Sequence, residues 1–483
     1  MMPDLTPKQG KLLFSALIIL SAFFFLFRLG DQAFLDYDEA TYARVAKEAM
    51  NSGEHLSFTL WGKPWIDKPP LYFWLAAGSA KVFGFNELAL RLPGALFGIL
   101  AVILTWLFAF YISKNYLTAF LAGAILASSG EFAFAARQFR MDAPVATAIL
   151  ASIYFFVRGW KNGKWFLAMG ASLAAGVLLK SLIGLFAAPA MLAFSLSYRK
   201  WDWLKSGYFW VGGAVFFLLA APWHLYEASR YGSEFLNTYA GYHLFSRFGS
   251  PIIGGGITVF HYFKYLFYLT EPWFLIFLIL AFWQIGKYGK KLKEYPAPIL
   301  ASFLSLIFVF AIFAASKTKL FYYLEPIYPF MALFIALSAA SLAKEFKMEK
   351  RKFFTVAGVA IVLGFFNTGW QVFNLREGFS SEYAVANEEK TAGLAALAER
   401  ELPVYSLGWN WLETLSYYGE RKVNMLYEPS VTEESFYLAV PAGFFKAYPP
   451  SKEFRQRADA VMEGKIISLY RIRPGERAKI FKE

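Results

Sequence analysis

The chain has 483 residues, of which 57% are apolar, 20% aromatic and 17% charged. An ordinary soluble domain is about 45–50% apolar and about 25% charged, so this excess points to a membrane protein and excludes a soluble single-domain enzyme. Lys and Arg outnumber Asp and Glu by 48 to 35, a formal charge of +13 that fits nucleic-acid binding or cytoplasm-facing loops; the lack of Cys excludes disulfides, thiolate metal sites and cysteine nucleophiles.

A bilayer core needs about 20 apolar helical residues. Eleven apolar segments qualify: 12–27, 88–112, 117–134, 144–157, 165–179, 182–196, 208–223, 272–285, 298–315, 320–342 and 353–370. The first is flanked by Lys8 and Lys11, but no small-residue cleavage site follows Phe27, so an uncleaved helix is expected. With the N-terminus cytoplasmic, the inside segments carry 18 basic residues, among them Lys114, Arg158, Lys161, Lys200, Lys287 and Lys344, against five acidic ones. That bias agrees with the positive-inside rule and puts the C-terminus outside.

Three outer segments are long: 28–87, 225–271 and everything after 372. In the first, Asp38-Glu39 precedes a helix-like stretch from Ala40 to Met50 that ends near Gly53. Adjacent carboxylates at a low-dielectric boundary have their pKa values driven apart, which suits one to act as a base, while a helix N-cap is the structural alternative. Asp67-Lys68-Pro69-Pro70 puts a compact cation beside a carboxylate on a stiff turn, before an interfacial helix at 71–83. Arg137, Arg140 and Asp142 fall between two spans, and Lys180 sits in a tight outer turn where positive charge is disfavoured unless paired or facing a cavity. Lys68, Arg140 and Lys180 together compose a candidate anion pocket. His243 with Asp67 suits a divalent metal, though no two-His helix spacing occurs. Residues 373–483 are richer in charge and read as a small extracytoplasmic α/β domain, with strands at 404–407 and 466–472, a helix at 410–418 and no nucleotide-binding glycine motif.

The motifs then resemble one family. Asp38-Glu39-Ala40-Thr41-Tyr42 looks like the "DEARYA" motif of the polyprenol-phosphate-sugar glycosyltransferases, with Thr41 in place of the frequent Arg and Arg44 one turn on. Asp67-Lys68-Pro69-Pro70-Leu71-Tyr72 resembles "EKPPLYYW", with Asp for Glu. Arg140-Met141-Asp142-Ala143-Pro144 resembles R-x-D-x-P, and Leu179-Lys180-Ser181 the "TKG" turn. His243 to Arg247 is similar to "EHLxRF" but one residue longer, and residues 317–329 resemble "SKxKLxYYLLPxYP".

The resemblance is to the GT-C fold, in the group of protein O-mannosyltransferases and lipid A aminoarabinose transferases. It implies an α-helical polytopic membrane protein of about 11 to 13 spans over residues 1–372, with the small domain outside. It also implies an inverting transferase that moves sugar from a polyprenyl-phosphate donor to a lipid, glycan or protein acceptor at the outer face of the cytoplasmic membrane. Asp38, Glu39 and Asp142 would then be catalytic. Lys68, Lys180, Arg247, Tyr323 and Arg44 would hold the donor phosphate, and Asp67 with His243 a divalent metal (zinc, manganese or magnesium), with no nucleotide cofactor. Membrane lipids are expected partners and nucleic acid is not. A transporter or lipid flippase is the alternative; it would show repeated halves and midplane ionisable residues, whereas the charged clusters here lie toward one face.

Overall fold

The computed structural model describes residues 5–35, 37–246, 249, 258–289, 291–373, 377–407, 412–426, 430–431, 434–474 and 478–480. Helix α1 (Pro7–Leu26) starts at a Thr6–Gln9 capping box with Pro7 in the first turn, which satisfies N–H groups that a helix otherwise leaves open. Helix α2 (Asp38–Ser52) follows, ended by Gly53 at φ 73°. A hairpin of β1 (Phe58–Leu60) and β2 (Lys63–Trp65) turns through Trp61 and Gly62, both at positive φ, as the twist of a two-residue hairpin requires. Helix α3 (Leu71–Phe83) begins directly after the two prolines.

The apolar segments then form α4 (Glu87–Ser113), α5 (Tyr116–Ala127), α6 (Gly130–Ala136), α7 (Asp142–Gly159), α8 (Trp165–Lys180), α9 (Ala187–Tyr198) and α10 (Gly207–Tyr231). Beyond them lie helices Val259–Leu269, Trp273–Tyr288, Ala297–Ala315, Tyr328–Glu345 and Lys350–Val372. Among the described residues, seven helices are long and apolar enough to cross a membrane, or up to nine if two bent pairs each count as one. Eleven spans were expected. The count of seven differs because segments 117–134 and 272–285 belong to the two bent pairs, at 65° and 115°, α7 is not among the qualifying helices, and α8 and α9 fall within one 34-residue stretch. That stretch is broken at Ser181, with φ 59°. A Cβ on Gly184 would lie 2.3 Å from the Gly176 backbone, so only glycine lets the chain fold back there and leave Lys180 at the bend.

Beyond Lys350–Val372, helix Glu377–Ala396 leads into a mixed sheet ordered β4-β3-β6-β8-β7: β3 (Val404–Ser406), β4 (Val423–Met425), β6 (Phe436–Pro441), β7 (Ala458–Glu463) and β8 (Ile467–Ile472). β5 (Ser430–Val431) pairs apart, with β9 (Ala478–Lys479). β3 runs parallel to β4 and β6, and β8 antiparallel to β6 and β7. The helix expected at 410–418 is Glu413–Tyr418; residues 410–411 lie outside the described residues.

This helix docks the small domain onto the first outer loop. Thr414 Oγ1 donates to the Phe34 carbonyl at 3.0 Å, and Tyr418 Oη accepts from Phe34 N at 3.1 Å and donates to Glu87 at 2.6 Å. Asn387 accepts from Ala33 N and donates to Gln32. The backbone that leads into Asp38 is therefore held from the C-terminal side.

Candidate active site

Charged side chains converge where several helices end. Asp38 is the first residue of α2, and Tyr37 before it holds φ 66°, a strained setting that persists only where its surroundings fix it. Glu39 supplies that fixation. Its two oxygens accept from Arg91 Nε at 2.9 Å and NH2 at 2.8 Å, from Leu35 N at 2.8 Å and from Phe139 N at 2.5 Å. Arg91 spends its other donors on the carbonyls of Leu29, Gln32 and Ala33. Glu39 was expected to be catalytic; every hydrogen bond that it makes is internal and its side chain is 0% exposed, a geometry that braces the segment carrying Asp38.

Asp38, in contrast, is partly open, and Oδ2 lies 3.4 Å from Arg140 NH2. Arg140 stacks over the Tyr322 ring at 3.9 Å, and its Nε sits 3.3 Å from Asp142 Oδ2. Asp142 starts α7 and accepts a hydrogen bond from Lys180. Lys180 Nζ also lies 5.6 Å from the Tyr322 ring centre. Lys68 is close enough to act electrostatically on Asp142. Asp142 thus orients cations between the ends of α7 and α8, and its geometry is that of a positioning residue.

Arg140 is buried, yet among the described residues its Nε and NH2 make no hydrogen bond of good geometry. These two nitrogens are held instead by the longer ion pairs to Asp142 and Asp38, at 3.3 and 3.4 Å, distances that leave room for a closer charged acceptor to gain a stronger bond. Arg140 borders a cavity of about 350 Å³ lined also by Asp38, Glu39, Gln138, Tyr322 and, from the C-terminal helix, Glu382 and Val385. Tyr42 forms a neutral neighbour: burial foremost, reinforced by Asp38, pushes its phenol well above the usual value.

The remaining expected residues sort as follows. Arg44 pairs with Glu48 at 2.7 Å and stacks on Trp61 at 4.0 Å, so it braces the hairpin instead of reaching toward a phosphate. Glu48 also accepts from Thr59, Trp61 N and Gly62 N. Burial works against that carboxyl, but the bonds from Thr59, Arg44 and Gly62 win and hold it below its usual pKa. Tyr323 stacks on Phe313 at 5.4 Å; the ring facing Arg140 belongs to its neighbour Tyr322. Asp67 is half-buried beside Lys68. The side chain of His243 and all of Arg247 lie outside the described residues. Among the described residues no three His, Cys, Asp or Glu side chains gather as a metal site would need.

Two carboxylates went unnoticed in the sequence. Glu131 of α6 and Glu325, in the short helix Phe321–Ile327, are 1% and 0% exposed, and none of their four oxygens has a hydrogen-bond partner among the described residues. Glu325 lies within electrostatic reach of Glu131, Asp142, Arg140 and Lys180. An acidic residue inside an apolar run was the signal available. Because an unpartnered buried polar group costs about 1–3 kcal/mol, Glu325→Met is expected to raise the thermal midpoint of the purified protein. A marked fall would mean that these carboxyls are paired.

Comparison with known proteins agrees with this geometry. The family profile described as dolichyl-phosphate-mannose-protein mannosyltransferase matches residues 67–226. A protein of Aquifex aeolicus is 29% identical over 330 residues, 66% of this chain and 63% of its own length. The undecaprenyl phosphate-alpha-4-amino-4-deoxy-L-arabinose arabinosyl transferase of Aeromonas hydrophila is 25% identical over 410 residues, 82% of this chain and 71% of its own. The chain thus spans less than two thirds of the first of these relatives. Among solved structures, ArnT from Cupriavidus metallidurans bound to undecaprenyl phosphate shares the fold at TM-score 0.74 and 16% identity, over 97% of this chain and 98% of that one. The oligosaccharyltransferase of Archaeoglobus fulgidus follows at TM-score 0.61 and 11% identity, over 87% and 64%. The chain therefore shares the fold of ArnT, and over the site-bearing helices its sequence is similar to the mannosyltransferase profile and to the arabinosyl transferases.

Proposed function

We propose that the protein transfers a sugar from a polyprenyl-phosphate donor to an envelope acceptor at the outer face of the cytoplasmic membrane. The observation that carries this reading is Arg140: a buried guanidinium held by long ion pairs to Asp38 and Asp142 and stacked on Tyr322, beside a cavity at the helix ends. The Aeromonas relative's name and the lipid phosphate in the Cupriavidus structure supply the donor class.

In the step proposed, an acceptor oxygen attacks the anomeric carbon as the bond from that carbon to the phosphate oxygen breaks. The polyprenyl phosphate leaves with the electron pair, and direct displacement inverts the centre. Arg140, Lys180 and Lys68 are placed to stabilise the charge that develops on the leaving phosphate, the moment at which preorganised donors matter most. Asp38 takes the proton of a hydroxyl acceptor, or orients a phosphate acceptor that needs no base. Glu382 and Val385 put the C-terminal domain on the cavity wall, which suits it to a part in admitting the acceptor. A metal at Asp67 and His243 would add positive charge to the same phosphate, and no step above requires it.

Asp38→Asn tests the assignment. Loss of a general base typically costs 10²–10⁴-fold, so with a hydroxyl acceptor kcat is expected to fall by at least about 10²-fold with KM for the donor little changed. Transfer at the wild-type rate would remove Asp38 from the mechanism.

A further inference from the structure

Helix α4 has 27 residues and so is about 40 Å long, and it is long and apolar enough to cross a membrane. It starts beside the candidate site, where Arg91 holds Glu39, and ends at its cap residue Lys114, toward the opposite membrane face. Three cations meet there around one ring. Lys114 Nζ lies 4.6 Å, the Arg158 guanidinium 5.5 Å and Lys161 Nζ 5.6 Å from the Tyr111 ring centre. Among the described residues none of the three forms an ion pair, and Arg158 donates to the Tyr154 hydroxyl. Burial, and then the like charges of Lys161 and Arg158, push the Lys114 ammonium below its usual pKa. Elsewhere on this face Lys287 is paired with Glu345, so the unneutralised trio is a local arrangement.

Lys161 also lines a cavity of about 260 Å³ beside Trp160, Lys200, Trp203 and Tyr208. The Trp160 indole N–H, buried at this wall, has no hydrogen-bond partner among the described residues. Asp202 also lines the recess, but it pairs with none of the three cations among the described residues, and the converging cations and the orphaned donor can all take an anionic acceptor. Aromatic rings among them, at helix ends, are typical of the depth at which headgroups sit, and basic recesses between spans on the cytoplasmic side bind anionic headgroups.

We propose that Lys114, Arg158 and Lys161, with the adjoining recess, bind the phosphodiester headgroup of an anionic phospholipid. The site is independent of the transferase reading, since it lies at the other end of the helices and contacts none of the residues assigned there. Titrating the purified full chain with phosphatidylglycerol or phosphatidylcholine under native mass spectrometry tests it. Each cation near such a headgroup is worth about fivefold in affinity, so at least a tenfold preference for phosphatidylglycerol is expected. Lys161→Gln should lower phosphatidylglycerol affinity by about fivefold, and Lys114→Gln combined with Lys161→Gln should abolish most of the preference. Lys8→Gln with Lys11→Gln, the same charge removed from the expected cytoplasmic end, should leave it intact. Equal binding of the two lipids, equal loss in the control variant, or displacement by inorganic phosphate at matching concentration would each overturn the proposal.

Discussion

Arg140→Gln is expected to lower kcat/KM for sugar transfer from a polyprenyl-phosphate donor by about 10²–10³-fold, or about 2.7–4 kcal/mol, the usual cost of removing one preorganised donor at developing charge. The size of the effect follows from the setting. Arg140 is the cation common to Asp38, Asp142 and the Tyr322 ring, and it stands at the wall of the cavity. Gln removes the charge and the fork together. Arg140→Lys keeps the charge but neither the planar fork nor the stacking, so it should recover only part of the loss. Steady-state kinetics on protein of unchanged thermal midpoint checks this. Full recovery by Lys would mean that charge alone suffices.

The second large effect is structural. Glu39→Ala is expected to destabilise the protein by about 3–5 kcal/mol, because it strands the buried Arg91 guanidinium without a counter-charge. Transfer should fall as well, since the same pair holds the segment between Leu29 and Leu35 that carries Asp38 into place. Thermal unfolding in detergent reads the first effect. The second is read on whatever fraction stays folded, as a lowered kcat. A Glu39→Ala protein as stable and active as wild type would contradict both the bracing role and a catalytic one.

Glu39 also shows how far the sequence reaches. Its adjacency to Asp38 was legible, but on a helix consecutive residues point about 100° apart, so Asp38 stays partly open while Glu39, at the wall of the same cavity, turns its carboxylate inward onto Arg91. Arg91 was readable in principle: an Arg inside the apolar run 88–112 demands a buried partner, though nothing local names it. Lys68, Asp142 and Lys180 could be placed together because topology put their loops on one face, and Arg140 was grouped with them for the same reason. That Tyr322, the neighbour of the expected Tyr323, is the ring facing Arg140 depends on the short helix Phe321–Ile327, whose phase no motif fixes. Arg44 had a more available carboxylate four residues on, at Glu48, the spacing at which helical side chains meet. Glu382 had no local signal at all, because its approach to the cavity depends on how the C-terminal domain docks through Thr414, Tyr418 and Asn387.

The most direct measurement is release of undecaprenyl phosphate from a panel of undecaprenyl-phosphate sugars by the purified full chain. Sugar-dependent release in the wild type, lowered by at least about 10²-fold in both Asp38→Asn and Arg140→Gln, is the result expected. Release from no donor by folded wild-type protein supplied with envelope acceptors, or release from the two variants at the wild-type rate, would contradict the account.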